Sequence, residues 1–110
     1  MRSSDFIILA ASLLASSFLA SSHALAGDGE TLAKKNSCMM CHAMAGKSAG
    51  PSFEDIAAKY RLDKNAQAAL EKKVRSGGKD AWGSMPMPAT ARSVSDGDIK
   101  SMVQWILSLK

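Results

Sequence analysis

The chain has 110 residues and a formal net charge of +4 at pH 7. A chain of this length forms one small domain and has no room for a second. Its Lys and Arg residues are scattered and are not clustered with aromatic residues, which argues against nucleic-acid binding. The mild positive charge is compatible with docking onto an acidic protein partner, although a merely solvated surface is the more common explanation of scattered lysines.

The N-terminus has the parts of a secretory signal peptide. A short segment with Arg2 precedes residues 6–20, which are almost wholly apolar or small, and Ala24-Leu25-Ala26 supplies a small-x-small cleavage pattern. The alternative is a transmembrane anchor, but an apolar run of about 15 residues is shorter than the roughly 20 that span a bilayer. We therefore expect residues 1–26 to be removed and residues 27–110 to form a periplasmic domain with no stable membrane insertion.

Two helices are predicted in the first half of that domain. Asp28 can cap a first helix over residues 30–36. Ser52 and Asp55 form a capping box that begins a second helix over residues 53–60. Residues 43–50, which lie between these two helices, are rich in glycine and small residues and predict a loop.

Two further helices are predicted in the second half, and no convincing strand. A third helix begins near residues 63–65, runs through residue 76 and is stopped by Gly77 and Gly78. Residues 79–92 have no regular period and contain many turn formers, so they predict a long irregular loop. Ser95 and Asp98 form a second capping box, which opens a last amphipathic helix. Its apolar residues follow the i, i+3, i+4, i+7 spacing of a helix face: Ile99, Met102, Val103 and Ile106.

The most informative motif is Cys38-Met39-Met40-Cys41-His42. Two cysteines three apart, with histidine directly after the second, are the attachment pattern of haem c. Cys38 and Cys41 would form thioethers with the porphyrin vinyl groups, and His42 would be the proximal iron ligand. A dithiol redox site and a zinc site are the alternatives, but no strand precedes Cys38 and a zinc site needs about four ligands.

The irregular loop carries the candidates for the second iron ligand, Met85 and Met87. A long loop in so small a domain needs a functional reason, and a methionine thioether is a suitable ligand for haem iron. Pro86 and Pro88 bracket Met87 and restrict its backbone, which favours Met87 over Met85 as the distal ligand. Ordinary packing is the alternative role of whichever methionine does not bind.

Several segments together resemble the small bacterial class I cytochromes c of the cytochrome c-551 type. They are the Gly50-Pro51 turn, Ala81-Trp82-Gly83, Pro86-Met87-Pro88 and the closing Trp105-Ile106-Leu107-Ser108. The resemblance covers residues 27–110 and is weakest at residues 89–95, where the loop is about two residues longer than the family pattern. It implies an all-α class I cytochrome c fold, in which four to five short helices surround one covalently attached haem c and the first and last helices cross.

The resemblance also implies roles for individual residues. Met87 matches the distal ligand, and the Pro51 carbonyl would accept a hydrogen bond from His42 Nδ1–H. The Trp82 indole N–H would donate to a haem propionate, with core packing as the alternative. Lys73 matches a family position near a propionate, where a lysine cannot make the bidentate contact of an arginine.

The function that follows is electron transfer by a soluble periplasmic monohaem carrier without enzymatic activity. Iron held by both His42 and Met87 has no open position for a substrate. The resemblance implies a monomer that shuttles electrons from a respiratory complex to a terminal reductase or oxidase, such as a nitrite reductase. A haem-based ligand sensor or a peroxidase-like enzyme with a labile distal site is the alternative, and a thiol oxidoreductase with free cysteines is a third hypothesis.

Overall fold

The computed structural model describes residues 24–79 and 81–110, with the side chains from residue 28 onward. Four α-helices follow one another along the chain, and a short 3₁₀ turn, Cys38–Met40, lies between the first two. The helices are α1 (Ala24–Lys35), α2 (Phe53–Tyr60), α3 (Ala66–Ser76) and α4 (Asp96–Ser108). Within the described residues the only strand-like pairing is an isolated antiparallel bridge between Gly78 and Met87, so the predicted all-α class is confirmed.

The first helix begins earlier than predicted. Helix α1 starts at Ala24, so Asp28 lies inside it and is not its N-cap. Alanine and leucine have high helix propensity, and Ala24-Leu25-Ala26 therefore extends the helix toward the N-terminus. Residues 1–23, most of the predicted signal peptide, lie outside the described residues.

The predicted boundaries of the other helices agree with the structure, except that α3 begins at Ala66, one to three residues later than predicted. The Ser52 hydroxyl accepts a hydrogen bond from Asp55 N at 3.0 Å at the start of α2. The Ser95 hydroxyl accepts one from Asp98 N at 3.1 Å at the start of α4. Helix α3 ends at Gly77, which adopts a positive φ of 66°, a conformation that glycine tolerates and other residues rarely adopt.

The core is built where α1 and α4 cross. Gly29 of α1 faces Ser101 and Trp105 of α4, and an added Cβ would lie less than 3.0 Å from both residues. Ser101 is buried beside this contact, so small residues on both helices permit the close approach. The core cluster extends from this crossing to α2: Ala33, Phe53, Ile56, Ile99, Met102, Val103, Trp105 and Ile106.

The 3₁₀ turn and the loop between α3 and α4 both line an apolar hollow beside this core. No helix in the described part of the chain is long and apolar enough to span a bilayer.

Candidate haem site

The hollow is a cavity of about 520 Å³, within the size range of pockets that hold an organic ligand. Most of its wall is apolar and comes from the three helices α2, α3 and α4 together with the irregular loop. All six predicted site residues line this one cavity: Cys38, Cys41, His42, Pro51, Trp82 and Met87. The fold therefore brings together residues that are far apart in the sequence: Cys38 and Met87 are separated by 49 positions.

The two cysteines are presented to the cavity by the 3₁₀ turn. Ser37 precedes the turn in a left-handed conformation with φ of 64°. The Cys38 carbonyl then accepts hydrogen bonds from Cys41 N at 3.3 Å and from His42 N at 3.0 Å. This compact turn holds both thiols and the imidazole at the same wall. Neither cysteine forms a disulfide, and both are available for covalent attachment.

The environment of Cys38 does not favour a reactive thiolate. Cys38 is half-buried, and desolvation raises the pKa of its thiol above the ordinary value, against a weaker lowering by a backbone hydrogen bond. Thiol oxidoreductases instead lower the pKa of the attacking cysteine. The surroundings of Cys38 thus give no support to the thiol oxidoreductase hypothesis.

The imidazole of His42 is oriented by contacts on two sides. Its Nδ1 lies 2.6 Å from the Pro51 carbonyl oxygen. Because a carbonyl only accepts, Nδ1 carries the proton and Nε2 keeps the lone pair that a metal requires. The ring stacks on Phe53 with centroids 5.2 Å apart and an interplanar angle of 22°. Phe53 in turn packs edge-on against Trp105, with centroids 5.1 Å apart, so the core supports the imidazole.

Gly50 makes room for this histidine. A Cβ at position 50 would lie 3.0 Å from His42 Cε1 and 3.2 Å from Nδ1, tighter than ordinary contact. The Gly50 N–H also donates to the Cys41 carbonyl at 2.8 Å. The Gly50-Pro51 turn therefore both closes the loop after the motif and supplies the carbonyl that orients His42.

The two candidate methionines differ in how they are held. Met87 is half-buried, and its backbone exchanges two hydrogen bonds with Gly78, from Met87 N to Gly78 O at 2.7 Å and from Gly78 N to Met87 O at 2.9 Å. Met85 also lines the cavity but is 67% exposed. The bridge fixes the backbone of Met87 beside the end of α3, whereas Met85 lies at the outer rim.

Trp82 lies at the rim and not in the core. It is 45% exposed and does not belong to the cluster of buried core residues. The ammonium group of Lys59 lies 4.4 Å from the Trp82 ring centroid and donates to the Ala81 carbonyl at 3.3 Å. A lysine of α2 thus restrains the segment that carries Trp82 through a cation–π contact and a hydrogen bond. Lys73 also lines the cavity.

These residues fit a covalently attached haem. The cavity combines an apolar wall, two free thiols on a single turn and an imidazole with only Nε2 left to coordinate. Within residues 24–79 and 81–110, no group of three or more His, Cys, Asp or Glu could hold a metal ion. His42 and Met87 are the residues that would hold the iron, and Cys38 and Cys41 those that would hold the porphyrin.

Sequence reasoning missed several residues that shape the site. The sequence does not predict the bridge between Gly78 and Met87. Nor does it predict the close approach of Gly77 to the methionine loop, the loop of residues 79–92, where an added Cβ would lie less than 3.0 Å from Met87 O. From the sequence alone, both glycines indicate only the end of a helix. Gly77 and Gly78 both adopt a positive φ. The sequence signal for this backbone conformation is the pair of glycines followed by a loop with no regular period.

Comparison with known proteins gives an independent answer. The family description "Cytochrome c" matches residues 26–110. Cytochrome c-552 of Hydrogenobacter thermophilus is 44% identical over 81 residues, which are 74% of this chain and 81% of that protein. Cytochrome c-551 of Pseudomonas aeruginosa is 39% identical over 99 residues, which are 90% of this chain and 93% of that protein.

Solved structures agree. The crystal structure of wild-type Nitrosomonas europaea cytochrome c552 has 44% sequence identity and a TM-score of 0.69, and the match covers 74% of this chain and 99% of that one. The predicted resemblance and the predicted cofactor, one covalently bound haem c, are confirmed. The chain belongs to the cytochrome c family as a small class I monohaem protein, which transfers electrons and is not an enzyme.

Proposed function

We propose that this protein is a periplasmic monohaem carrier whose iron is held by His42 and Met87. It would pass single electrons from a respiratory donor to a terminal reductase or oxidase, for example a nitrite reductase. The observation that carries the proposal is that His42, with Nδ1 already engaged by Pro51, and Met87, with its backbone bridged to Gly78, line the same cavity as both cysteines.

Each of these residues has a distinct task. Cys38 and Cys41 tie the cofactor to the chain through thioether bonds, so it cannot dissociate during repeated reduction and oxidation. Pro51 keeps the His42 imidazole in one tautomer and one orientation. Met87 would supply a soft thioether as the second iron ligand, and a methionine ligand raises the reduction potential.

When bound, the haem supplies a one-electron Fe(III)/Fe(II) couple. If His42 and Met87 both hold the iron, no position would be left open for a substrate. The apolar wall excludes water, and no covalent bond is made or broken in the transfer. This arrangement favours electron carriage over the alternative of a sensor or a peroxidase-like enzyme with a labile distal site.

The rim of the cavity suits brief docking of a redox partner. Cys41, Trp82 and Met85 are all exposed at the cavity, so an edge of the cofactor attached there would be close to solvent. Lys47 and Lys79 are exposed as well and would attract an acidic partner surface. Contacts of this kind increase the association rate more than the affinity, which suits a monomeric carrier that must release each partner quickly.

Export is part of the same proposal. The apolar run and the cleavage pattern in residues 1–26 support removal of this segment on the way to the periplasm. Haem is joined to cysteine outside the cytoplasm in bacteria, so a signal peptide and a haem attachment motif in one chain support each other.

Absorption spectroscopy of the exported holoprotein tests the axial ligands. The unsubstituted ferric protein should show the weak near-infrared charge-transfer band of an iron–methionine bond, and reduction should give a sharp α band. Met87→Ala should abolish the near-infrared band, whereas the matched variant Met85→Ala should retain it.

Other results would overturn specific parts of the proposal. Loss of the band in Met85→Ala alone would make Met85 the ligand. A haem protein without the band in its unsubstituted form would favour the sensor or peroxidase-like alternative. Failure to attach haem in a host that matures other cytochromes c would contradict covalent attachment at Cys38 and Cys41.

A further inference from the structure

The loop that follows Met87 is tied to the last turn of α3 by Arg75. The Arg75 guanidinium donates from Nη1 to the Ala91 carbonyl at 3.1 Å and from Nη2 to the Val94 carbonyl at 2.7 Å. The same Nη2 lies 2.6 Å from Asp96 Oδ1 at the start of α4. One side chain thus holds two backbone carbonyls of the loop and the first residue of the next helix.

A second tie lies between this contact and the methionine. The Val74 carbonyl, next to Arg75 in α3, accepts hydrogen bonds from Thr90 Oγ1 at 2.7 Å and from Thr90 N at 3.2 Å. Thr90 is three positions after Met87. The whole segment from Met87 to α4 is therefore fastened to α3, and its release would free the backbone of Met87 to move.

The hydrogen bonds to carbonyls are the stronger part of the Arg75 contact. The Asp96 side chain is 96% exposed, and an ion pair with such a carboxylate is screened by water. The Arg75 side chain is only 27% exposed, and hydrogen bonds from a charged donor are stronger than neutral ones. The planar fork of arginine can reach both carbonyls at once, which the single ammonium group of a lysine cannot do.

We propose that Arg75 is a positioning residue that holds Met87 at the cavity and controls how fast its sulfur leaves the iron. Arg75 does not itself line the cavity, but Ala91 and Val94, whose carbonyls it holds, do, so its effect passes through the loop. The inference rests on the proposed function, because it requires Met87 to be the distal ligand.

The experiment measures imidazole binding to the ferric holoprotein by stopped-flow absorbance. Added imidazole can reach the iron only when the distal methionine has left, so at saturating imidazole the observed rate reports methionine departure. Arg75→Ala should raise this rate by about tenfold, the effect expected from the loss of charge-assisted hydrogen bonds. Arg75→Lys keeps the charge without the fork and should give a rate between those of the unsubstituted and alanine proteins.

Two control variants separate this role from charge and from general stability. Arg92→Ala removes the same charge from an exposed position in the same loop and should leave the rate unchanged. Ala57→Gly weakens the protein at a buried position of α2 that is not part of the cavity wall. It should lower the free energy of unfolding without accelerating imidazole binding.

The outcomes distinguish this inference from the proposed function. If the unsubstituted protein lacks the iron–methionine band, the ligand assignment fails and the inference fails with it. If the band is present but Arg75→Ala binds imidazole no faster than Arg92→Ala, only the inference is overturned. Equal acceleration by Ala57→Gly would also overturn it, because global opening would then explain the rate. If Arg75→Ala does not fold, the Arg75→Lys variant provides the test. An imidazole-binding rate equal to that of the unsubstituted protein would then refute the positioning role of Arg75.

Discussion

Gly77 is where the methionine loop meets the end of α3, and its replacement by alanine should be unusually damaging. Gly77 has φ of 66° and ψ of −158°, a region that is essentially restricted to glycine. A Cβ at this position would also lie less than 3.0 Å from Met87 O, Ala89 N and Pro88 C. All three are backbone atoms, so they cannot make room by changing a rotamer.

The magnitude follows from two contributions. The backbone conformation costs an alanine on the order of 1–3 kcal/mol. Displacement of the Met87 carbonyl would disrupt the two hydrogen bonds with Gly78, each worth about 1 kcal/mol. We expect Gly77→Ala to lower the free energy of unfolding by about 3–5 kcal/mol and to weaken the near-infrared iron–methionine band in the folded protein.

Gly46→Ala is the matched control. Gly46 also has a positive φ, of 80°, but an added Cβ there would meet no atom within 4 Å. Its replacement should therefore cost only about 1–2 kcal/mol of strain and leave the band intact. Denaturant titration followed by circular dichroism gives the stability of both variants, and absorbance gives the band. Equal stabilities and equal band intensities would refute the reasoning that Gly77 supports the loop through close contact.

Three further predictions concern the helices and the cofactor. Gly29→Ala should lower the thermal unfolding midpoint in a melt of the holoprotein, because its Cβ would collide with the backbone of α4 and with Trp105; an unchanged midpoint would contradict the close helix crossing. Ser95→Ala removes the hydroxyl that caps α4 and should cost about 1 kcal/mol in denaturant titration, whereas no loss would show that the cap is replaced by water. The double variant Cys38→Ala, Cys41→Ala should show weak helical circular dichroism without haem, since a chain this small needs its cofactor to complete the core; a cooperative, native-like melt would refute this.

The parts of the fold that were predictable from sequence are those governed by neighbouring residues. Ser52 and Ser95 each cap a helix through an N–H only three positions away, so the start of α2 and α4 could be predicted from local chemistry. The same locality explains the error at α1. Asp28 is a good capping residue, but the alanines and leucine before it continue the helix. Their high helix propensity outweighs the preference of Asp28 for the N-cap position.

The candidate site was predictable for a different reason. The Cys-x-x-Cys-His motif places three functional groups within one turn. The Pro-Met-Pro segment indicates a second group of residues that line the cavity. Trp82 shows the limit of this reasoning, since a large aromatic residue could have been core or rim, and only its 45% exposure decides for the rim. Gly29 and Arg75 were missed because their partners lie far away in sequence, and no local pattern indicates such contacts.

The two sides of the cavity are supported in different ways, which explains how so small a domain can keep a long irregular loop ordered. His42 is connected to the core by a continuous series of side-chain contacts, from its own ring to Phe53 and then to Trp105. Met87 has instead a backbone pairing with Gly78 and, beyond it, the hydrogen bonds that Arg75 makes to the loop. Backbone pairing and side-chain hydrogen bonds do not require the loop to bury apolar residues of its own. The apolar side chains of the loop are therefore free to contact the cofactor. It follows that changes in the Gly78 pairing or in the Arg75 hydrogen bonds can alter the position of Met87 while His42 and the core stay intact.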